Sequence, residues 1–300
     1  MGRLSTTNNV GKILRRYIIL CSAIFFLLHP AFNSAHALPE IDGVVSGDVE
    51  FSRPNDQTLN INASNKAIIN YKSFDIGENE SVIVNLPDAT SEILNRAVGA
   101  SASSILGSLS CNGVFLLVNP NGIVFGPNAN VDVQGLIAST RDITNSDFLS
   151  SQYRFEKLSK DQLDTLLVNR GTINIRQGGF GVLIAGAVES SGTIICPLGT
   201  VAMAGADKVT LNIAGNGSIS IAIDKAVAST IVDAQGKPIT SQLKNTGRIE
   251  ANGGVVLLKA EALPGIFEKA INLEGYVRAD RLEGKDGTVK LVSSGKVVVN

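Results

Sequence analysis

The side chains of this chain that could carry out chemistry are few and lie far apart in the sequence. An enzyme acting on polysaccharide would gather acidic and basic residues on one face, and glycosidic hydrolysis needs two facing carboxyl groups. The nearest candidates are Arg141-Asp142, Asp207-Lys208 and Asp233, each isolated in the sequence, and the pair Glu78 and Glu80 in a polar stretch after a glycine. Such charges are typical of solvated turns. We therefore predict no catalytic residue, no metal site and no cofactor.

Histidine chemistry is confined to the first residues, where His29 and His36 lie. These residues have the pattern of a secretory signal: a basic start without acidic residues, an apolar run over 17–28, and small residues Ala35 and Ala37 at a cleavage site. The apolar run would make about 18 Å of helix, too short for a bilayer core of about 30 Å. We predict a signal peptide over residues 1–37 and a mature chain that begins at Leu38. An uncleaved anchor is the alternative.

The composition of residues 38–300 excludes several classes of function. Without histidine, this part of the chain cannot form a Ser-His-Asp triad, a Cys-His pair or a histidine-ligated zinc site. Four of the 26 basic residues precede residue 38 whereas all 27 acidic residues follow it, so the net charge is about −5. Nucleic-acid binding needs a basic surface, so we predict no nucleic-acid partner. The many glycines and few aromatic residues favour an all-β protein of short strands.

The segment from Asn119 to Thr140 predicts strand, tight turn, strand, turn and strand. The apolar run Val114–Val118 leads into Asn119-Pro120, which bars a helix and starts a turn. Asn121 and Gly122 can both take positive φ, as tight turns between strands require. Two turns this close indicate a chain that coils rather than one that meanders.

This segment resembles the Asn-Pro-Asn-Gly region of the two-partner secretion domain, which begins filamentous-haemagglutinin-like exoproteins of Gram-negative bacteria. Upstream segments resemble further motifs of the same family, in the family's order. They are Asn70–Gly77, Leu94–Gly99, Ser104–Gly107 and Asn112–Leu116. The resemblance covers essentially the whole mature chain.

The resemblance implies a secretion or folding role for a small set of residues. They are Asn95, Arg96, Asn119, Pro120, Asn121 and Gly122. It also implies export through the periplasm to the cell surface or medium, with transient recognition by an outer-membrane β-barrel transporter that carries POTRA domains. Many family members have a second motif, Asn-Pro-Asn-Leu, which this sequence lacks. That departure indicates a different subgroup.

A degenerate repeat runs through the second half of the chain. A small or polar residue, a glycine and a β-branched alternation recur around Gly171, Gly192, Gly217, Gly247 and Gly275. A period of about 20 to 30 residues with several short strands is typical of a solenoid. Asparagines of these turns, Asn169 and Asn245, are placed to bond turn backbone and to stack on neighbouring amides.

These patterns predict an all-β fold, a right-handed single-stranded parallel β-helix of the pectate-lyase type with short elements outside its coils. We expect an N-terminal cap over 38–61, a motif-rich core over 62–168 and repeat coils over 169–300, because open sheet ends need covering. The last residues, 296–300, have the pattern of an unfinished coil. Short helices are expected at 159–167 and 264–270. Cys111 and Cys196 are expected to be buried free thiols, since only neighbouring coils would let them pair.

Three functions are consistent with this fold. The leading hypothesis is a non-enzymatic secretion domain that also nucleates folding of the exported chain. An adhesin that contacts a cell-surface glycan or protein is compatible with it. The alternative is a carbohydrate-active β-helix enzyme, which would need a cleft lined by paired acids and aromatic residues.

Overall fold

The computed structural model describes residues 37–158, 165–214, 218–233 and 236–300. Residues Ala37 to Asn300 form one compact unit. Most of its strands pair in parallel with the strand one coil away rather than with their neighbours in sequence. The prediction of a right-handed, single-stranded parallel β-helix is therefore confirmed. Ala35 and the other residues of the expected signal peptide before Ala37 lie outside the described residues.

Three sheets make up the described part of the chain. Strands of the largest sheet are β1 (Glu40–Ser46), β2 (Val49–Asn55), β3 (Thr58–Ala63), β4 (Ala67–Ser73), β5 (Ser81–Asn85), β6 (Glu92–Ala97), β8 (Ser108–Val118), β10 (Asn130–Ser139), β13 (Thr172–Ala185), β15 (Thr193–Ile195), β16 (Thr200–Gly205), β20 (Arg248–Glu250), β21 (Val255–Ala260), β23 (Tyr276–Arg278) and β24 (Thr288–Ser293). The second sheet is parallel throughout, and its strands are β7 (Ser103–Ile105), β9 (Ile123–Phe125), β12 (Leu166–Asn169), β14 (Ala187–Ser190), β19 (Ser241–Asn245), β22 (Lys269–Leu273) and β25 (Val297–Val299). A small antiparallel sheet outside the coils holds β11 (Tyr153–Glu156), β17 (Lys208–Ile213) and β18 (Ile219–Lys225).

Glycines at one corner of the coils stack directly on one another. A Cβ atom on Gly192 would lie 2.1 Å from the carbonyl oxygen of Gly171, and one on Gly247 would lie 2.1 Å from that of Gly192. Gly275 repeats the contact with Gly247 at 2.3 Å. No side chain fits at such distances, so the repeat seen in the sequence reflects close backbone approach between coils. We call these four residues the glycine ladder.

The ladder corrects one part of the predicted repeat. The stretch 216–221 was expected to form a coil, yet Ile219 to Ile221 belong to β18, which runs antiparallel to β17 outside the coils. The coil containing β14 and β15 pairs directly with the one containing β19 and β20. The described residues between 207 and 240 are therefore an excursion between two adjacent coils. Alternating polar and apolar residues suit either arrangement, because each leaves one strand face buried.

Neither predicted helix forms where it is described. Leu166 and Leu167 begin strand β12, and residues 159–164 lie outside the described residues. Residues 264–268 are turns and bends before strand β22, with Gly265 at φ 84°. The α-helix of the described chain is instead α1 (Asn145–Leu149), where the Thr144 hydroxyl accepts a hydrogen bond from the Asp147 amide at 3.0 Å. That pattern, Thr-x-x-Asp, was a missed N-cap signal.

Two excursions, described over 140–158 and over 207–214, 218–233 and 236–240, meet on one face of the coils. Their strands β11 and β17 pair antiparallel and pack on outward-facing coil residues such as Val182 and Ala202, forming a second hydrophobic core. A buried ion pair joins the first residues of the two excursions, where each leaves the coils. Arg141 Nη2 lies 3.1 Å from Asp207 Oδ1, and Arg141 Nε donates to the Ala206 carbonyl at 2.8 Å. The prediction that Arg141 and Asp207 are charges of solvated turns is wrong, because both are buried and paired with each other.

Asparagine stacking at the turns follows the prediction in part. Asn169 Oδ1 accepts a hydrogen bond from the Gly171 amide at 3.2 Å, so it bonds turn backbone as expected. Asn245 donates to the Gly247 carbonyl at 3.3 Å. Ser190 lies on the strand between those of Asn169 and Asn245, and pairs with both residues. Asn169 Nδ2 lies 3.3 Å from the Ser190 hydroxyl. Ser190 therefore separates the two asparagines, which do not stack directly on each other.

Both described cysteines are buried free thiols, as predicted. Cys111 pairs with Val133 on the next strand, and Val133 pairs with Ile175 on the strand after it. Asn174 pairs with Ile195, so Cys196 lies one strand beyond Ile175. Three strand spacings, about 14 Å, therefore separate the two thiols, beyond the roughly 7 Å limit between Cα atoms for a disulfide.

Burial also makes both thiols unreactive in the folded chain. It raises the pKa of Cys111 to about 11 and that of Cys196 to about 12. Because thiolate is the reactive form, we expect alkylation by iodoacetamide at pH 8 to proceed at least about a hundredfold more slowly than in urea. Mass spectrometry of the modified chain measures both rates. Fast labelling of either residue in the folded protein would contradict this packing.

Two pairs of strands at the N-terminal end of the coils are antiparallel. Strand β1 lies antiparallel to β4, and β2 lies antiparallel to β3. Strands β3 and β4 then begin the parallel stacks.

Among the helices of the described residues, none has the length and apolar character needed to cross a membrane.

Candidate functional site

The Asn119–Gly122 turn links strands β8 and β9, as the sequence predicted. Asn119 is 1% exposed, and its side chain organises the turn. Its Oδ1 accepts a hydrogen bond from the Asn121 amide at 2.9 Å, while its Nδ2 donates to the Ser101 carbonyl and the Ser103 hydroxyl, both at 3.0 Å. The turn closes when the Gly122 amide donates to the Asn119 carbonyl at 3.1 Å. Asn119 thus ties this turn to the preceding coil.

Of the other turn residues, Asn121 is exposed and Pro120 is half-buried, whereas Gly122 is buried. Asn121 Nδ2 donates to the Gly99 carbonyl at 2.8 Å, and the Pro120 carbonyl accepts from the Thr165 hydroxyl at 2.8 Å. Gly122 has φ 116°, a conformation that favours glycine. Asn121 does not share it, so the expectation of positive φ at both Asn121 and Gly122 is wrong. The side-chain hydrogen bond from Asn119 holds the turn without it.

Asn95 lies in the interior of the coils. It is fully buried on β6, where Tyr71 Oη donates to its Oδ1 at 2.9 Å and its Nδ2 donates to the Leu116 carbonyl at 3.2 Å. Those partners belong to β4 and β8, so one side chain bridges three successive coils. Burial raises the pKa of Tyr71, which therefore stays a neutral donor. Asn95 acts in the packing of the coils rather than at the surface.

Arg96 points outward and holds the start of an excursion. Its Nε donates to Asp142 Oδ1 at 2.8 Å, its Nη1 to Asn145 Oδ1 at 2.8 Å and its Nη2 to the Ile143 carbonyl at 2.5 Å. One guanidinium thus fixes the loop that leads into α1. The planar group suits this role because it offers several donors in fixed directions.

A shallow groove of about 390 Å³ brings the outward-facing motif residues together. It is lined by Arg96, Ala97, Val98, Gly99, Pro120, Asn121, Asp142 and Leu158. We call it the motif groove. Two of its aliphatic side chains are unusually open to solvent, Val98 at 47% and Leu158 at 62% exposed. The groove therefore combines an apolar surface with ordered polar walls.

The structure divides the predicted site residues into two groups. Arg96, Pro120 and Asn121 line the motif groove, whereas Asn95 and Asn119 lie beneath it and support it. Val98 and Leu158 had not been singled out from the sequence. Ala37, at the expected cleavage site, is described, and its amide donates to Glu80 Oε1 at 2.9 Å.

A cleft elsewhere does hold two carboxylates. Glu156 and Asp207 line a cavity of about 540 Å³. Each is engaged by a cation, since Lys208 Nζ lies 2.8 Å from Glu156 Oε2 and Arg141 binds Asp207. The pair is built into the support of the excursions, not arranged as an acid facing a base. Within the described residues, no cluster of three or more histidine, cysteine or acidic side chains is placed to hold a metal ion.

Relatives of the chain are long proteins that it matches only in part. It is 35% identical over 133 residues to a heme/hemopexin-binding protein of Haemophilus influenzae, covering 44% of this chain and 14% of the relative. A heme/hemopexin-binding protein of Haemophilus influenzae strain ATCC 51907 / DSM 11121 / KW20 / Rd is 30% identical over 210 residues, 68% of this chain and 23% of the relative. The chain thus spans less than a quarter of these relatives.

A solved structure and a family model agree with the motifs. The HMW1 secretion domain of Haemophilus influenzae superposes with a TM-score of 0.68 at 28% identity, covering 84% of this chain and 62% of that domain. The model of the TPS secretion domain matches residues 50–299. The resemblance seen in the sequence is confirmed, and the chain belongs to the family of two-partner secretion domains.

Proposed function

We propose that this domain directs export of its polypeptide through a cognate outer-membrane β-barrel transporter with POTRA domains, and that the motif groove is the contact surface. The observation that supports this proposal is the convergence of two family motifs. Arg96 and Asn121 stand 25 positions apart in the sequence yet line one groove. Membership of an exoprotein family of Gram-negative bacteria supports the transporter as the partner.

The chemistry of the groove favours an apolar contact with a polar rim. Val98 and Leu158 offer the exposed aliphatic surface, and exposed apolar patches rimmed by polar groups are typical of protein-binding sites. The rim residues Arg96 and Asn121 are held by hydrogen bonds within the domain. The surface is therefore preorganised, which lowers the entropic cost of binding.

We further propose that the domain nucleates folding of the chain outside the cell. In this scheme the residues 1–37 are removed as a signal peptide, the segment 38–61 caps the coils, 62–168 forms the motif-rich core, and 169–300 adds repeat coils. Each coil that stacks on the previous one buries apolar surface, which stabilises the folded chain by about 25 cal/mol per Å². That free energy disfavours return through the transporter without ATP.

Export should depend on the apolar part of the groove. Replacing Val98 and Leu158 together with serine is expected to weaken binding to the purified periplasmic domains of the transporter about tenfold. Loss of two partly buried aliphatic contacts is worth roughly 1 to 2 kcal/mol. Isothermal titration calorimetry with the purified domain measures the affinity.

Matched variants make this test specific. Val45 and Val292 are each 46% exposed and lie outside the groove, so a Val45→Ser/Val292→Ser double variant removes similar apolar surface. It should bind as the unaltered domain does. Equal affinities for both double variants and the unaltered domain would exclude the groove as the contact surface.

An adhesive role of the exported chain, with a cell-surface glycan or protein as ligand, remains a proposal that rests on the family alone. Binding of the purified domain to intact cells, compared with binding of the purified Val98→Ser/Leu158→Ser variant, tests it. Saturable binding that both proteins share would support adhesion independently of export. Absence of binding would restrict the domain to secretion.

A further inference from the structure

A buried carboxylate stands where the predicted mature N-terminus begins. Glu80 is 5% exposed. Its Oε1 accepts a hydrogen bond from the Ala37 amide at 2.9 Å, and its Oε2 accepts one from the Gly77 amide at 2.7 Å. Ala37 is the last residue of the expected signal peptide. Cleavage there would remove one donor of this carboxylate together with the peptide.

We propose that Glu80 binds the α-ammonium group that cleavage creates on Leu38, and that this ion pair fastens the start of the mature chain to the first coils. The inference rests on the proposed removal of residues 1–37. Hydrolysis by a signal peptidase breaks the Ala37–Leu38 peptide bond. Water supplies the oxygen of the new Ala37 carboxylate, and the Leu38 nitrogen takes up protons to become an ammonium group.

The new ammonium group lies within reach of the carboxylate. Consecutive backbone nitrogens are at most about 3.7 Å apart, so the Leu38 nitrogen starts close to the position that the Ala37 nitrogen now occupies. The Leu38 side chain is 8% exposed and belongs to the main hydrophobic core, which keeps the freed end in place. A short rotation of this end replaces a neutral donor by a charged one, and charge-assisted hydrogen bonds are about twice as strong.

The backbone of Glu80 is hydrogen-bonded to the coils of the domain. Its backbone amide donates to the Gly77 carbonyl at 2.9 Å, and its carbonyl accepts from the Ser108 amide at 2.9 Å. Ser108 opens strand β8, which pairs with both β5 and β10. The ion pair would therefore join the chain start to three neighbouring strands of the largest sheet.

The experiment compares the chain before and after processing. Purified precursor of residues 1–300 is cleaved with signal peptidase, and N-terminal sequencing identifies the new end. Urea unfolding is then followed for precursor and product, each with Glu80 and with Glu80→Gln. We expect cleavage to raise the unfolding midpoint of the Glu80 chain by roughly 0.5 to 1 M, because a buried ion pair forms. In the Glu80→Gln chain, cleavage should leave the midpoint unchanged.

A control variant lies on the same turn. Glu78 is exposed, so Glu78→Gln removes a charge two residues away without touching the buried site. It should retain the full gain on cleavage. An N-terminus other than Leu38, or an equal gain in the Glu80 and Glu80→Gln chains, would overturn the proposal. Neither result would bear on export through the motif groove, which the groove variants test separately.

A second readout needs no variant. The α-amine of the processed chain should react with an amine-directed acylating reagent at pH 7 about tenfold more slowly in the folded state than in urea. A pKa raised by one unit through the carboxylate has that effect, since only the neutral amine reacts. Equal rates in the two states would show that the amine is not held by Glu80.

Discussion

Replacing Gly192 with alanine is expected to lower the free energy of unfolding by at least about 3 kcal/mol. A Cβ atom there would lie 2.1 Å from the Gly171 carbonyl oxygen. Its other nearest neighbours, in Arg170 and Gly171, are also backbone atoms, so no side chain can move aside. The strands themselves would have to separate. Separation would weaken the hydrogen bonds that the Gly192 amide and carbonyl make, with Asn169 at 3.1 Å and Arg248 at 2.9 Å. Urea denaturation of the purified domain measures the loss.

Gly43 provides the matched control for this substitution. A Cβ atom on Gly43 meets nothing within 4 Å, and its backbone φ is not positive. Gly43→Ala on β1 should therefore change the free energy of unfolding by no more than about 0.5 kcal/mol. A Gly192→Ala domain as stable as the Gly43→Ala domain would show that the coils are further apart than the glycine ladder requires.

The glycine ladder explains why the coils could be predicted from the sequence. Close backbone approach admits only glycine, so each coil corner leaves a visible mark at Gly171, Gly192, Gly247 and Gly275. The pattern around Gly217 resembles this mark, although Ile219–Ile221 belong to an excursion. Strands β17 and β18 alternate polar and apolar residues as coil strands do, and alternation defines a half-buried strand without naming its partner. Which strand lies beside which depends on the whole fold.

The site was predictable to a similar degree. Asn119 and Arg96 were identified by their motifs, but residue type alone does not separate a buried support from a surface contact. Asn95 and Asn119 turn inward because Tyr71, Ser101 and the Leu116 backbone offer hydrogen bonds there. The exposure of Leu158 depends on the path of the first excursion, which no local pattern specifies.

Replacing Asn119 with alanine is expected to reduce export about tenfold or more. The substitution removes the partner of the Asn121 amide, the Ser101 carbonyl and the Ser103 hydroxyl, of which Ser103 is 1% exposed. Unsatisfied buried groups cost about 1 to 3 kcal/mol each. A penalty of about 2 kcal/mol lowers the ratio of formed to unformed turn roughly thirtyfold, so a transporter that recognises the turn meets less of it. Immunoblotting of culture medium and periplasm, with the transporter co-expressed, measures the effect.

Loss of stability alone could reduce export, and Asn112 separates that cause from loss of the turn. Asn112 lies on β8, the strand that leads into the turn, and makes two hydrogen bonds of 2.7 Å with the Leu86 backbone, outside the motif groove. Asn112→Ala should thus destabilise the domain to a similar extent. If only Asn119→Ala lowers export, the turn itself is what the transporter requires. Equal losses would mean that export responds to the stability of β8 in general, and unchanged export of Asn119→Ala would remove the turn from the mechanism.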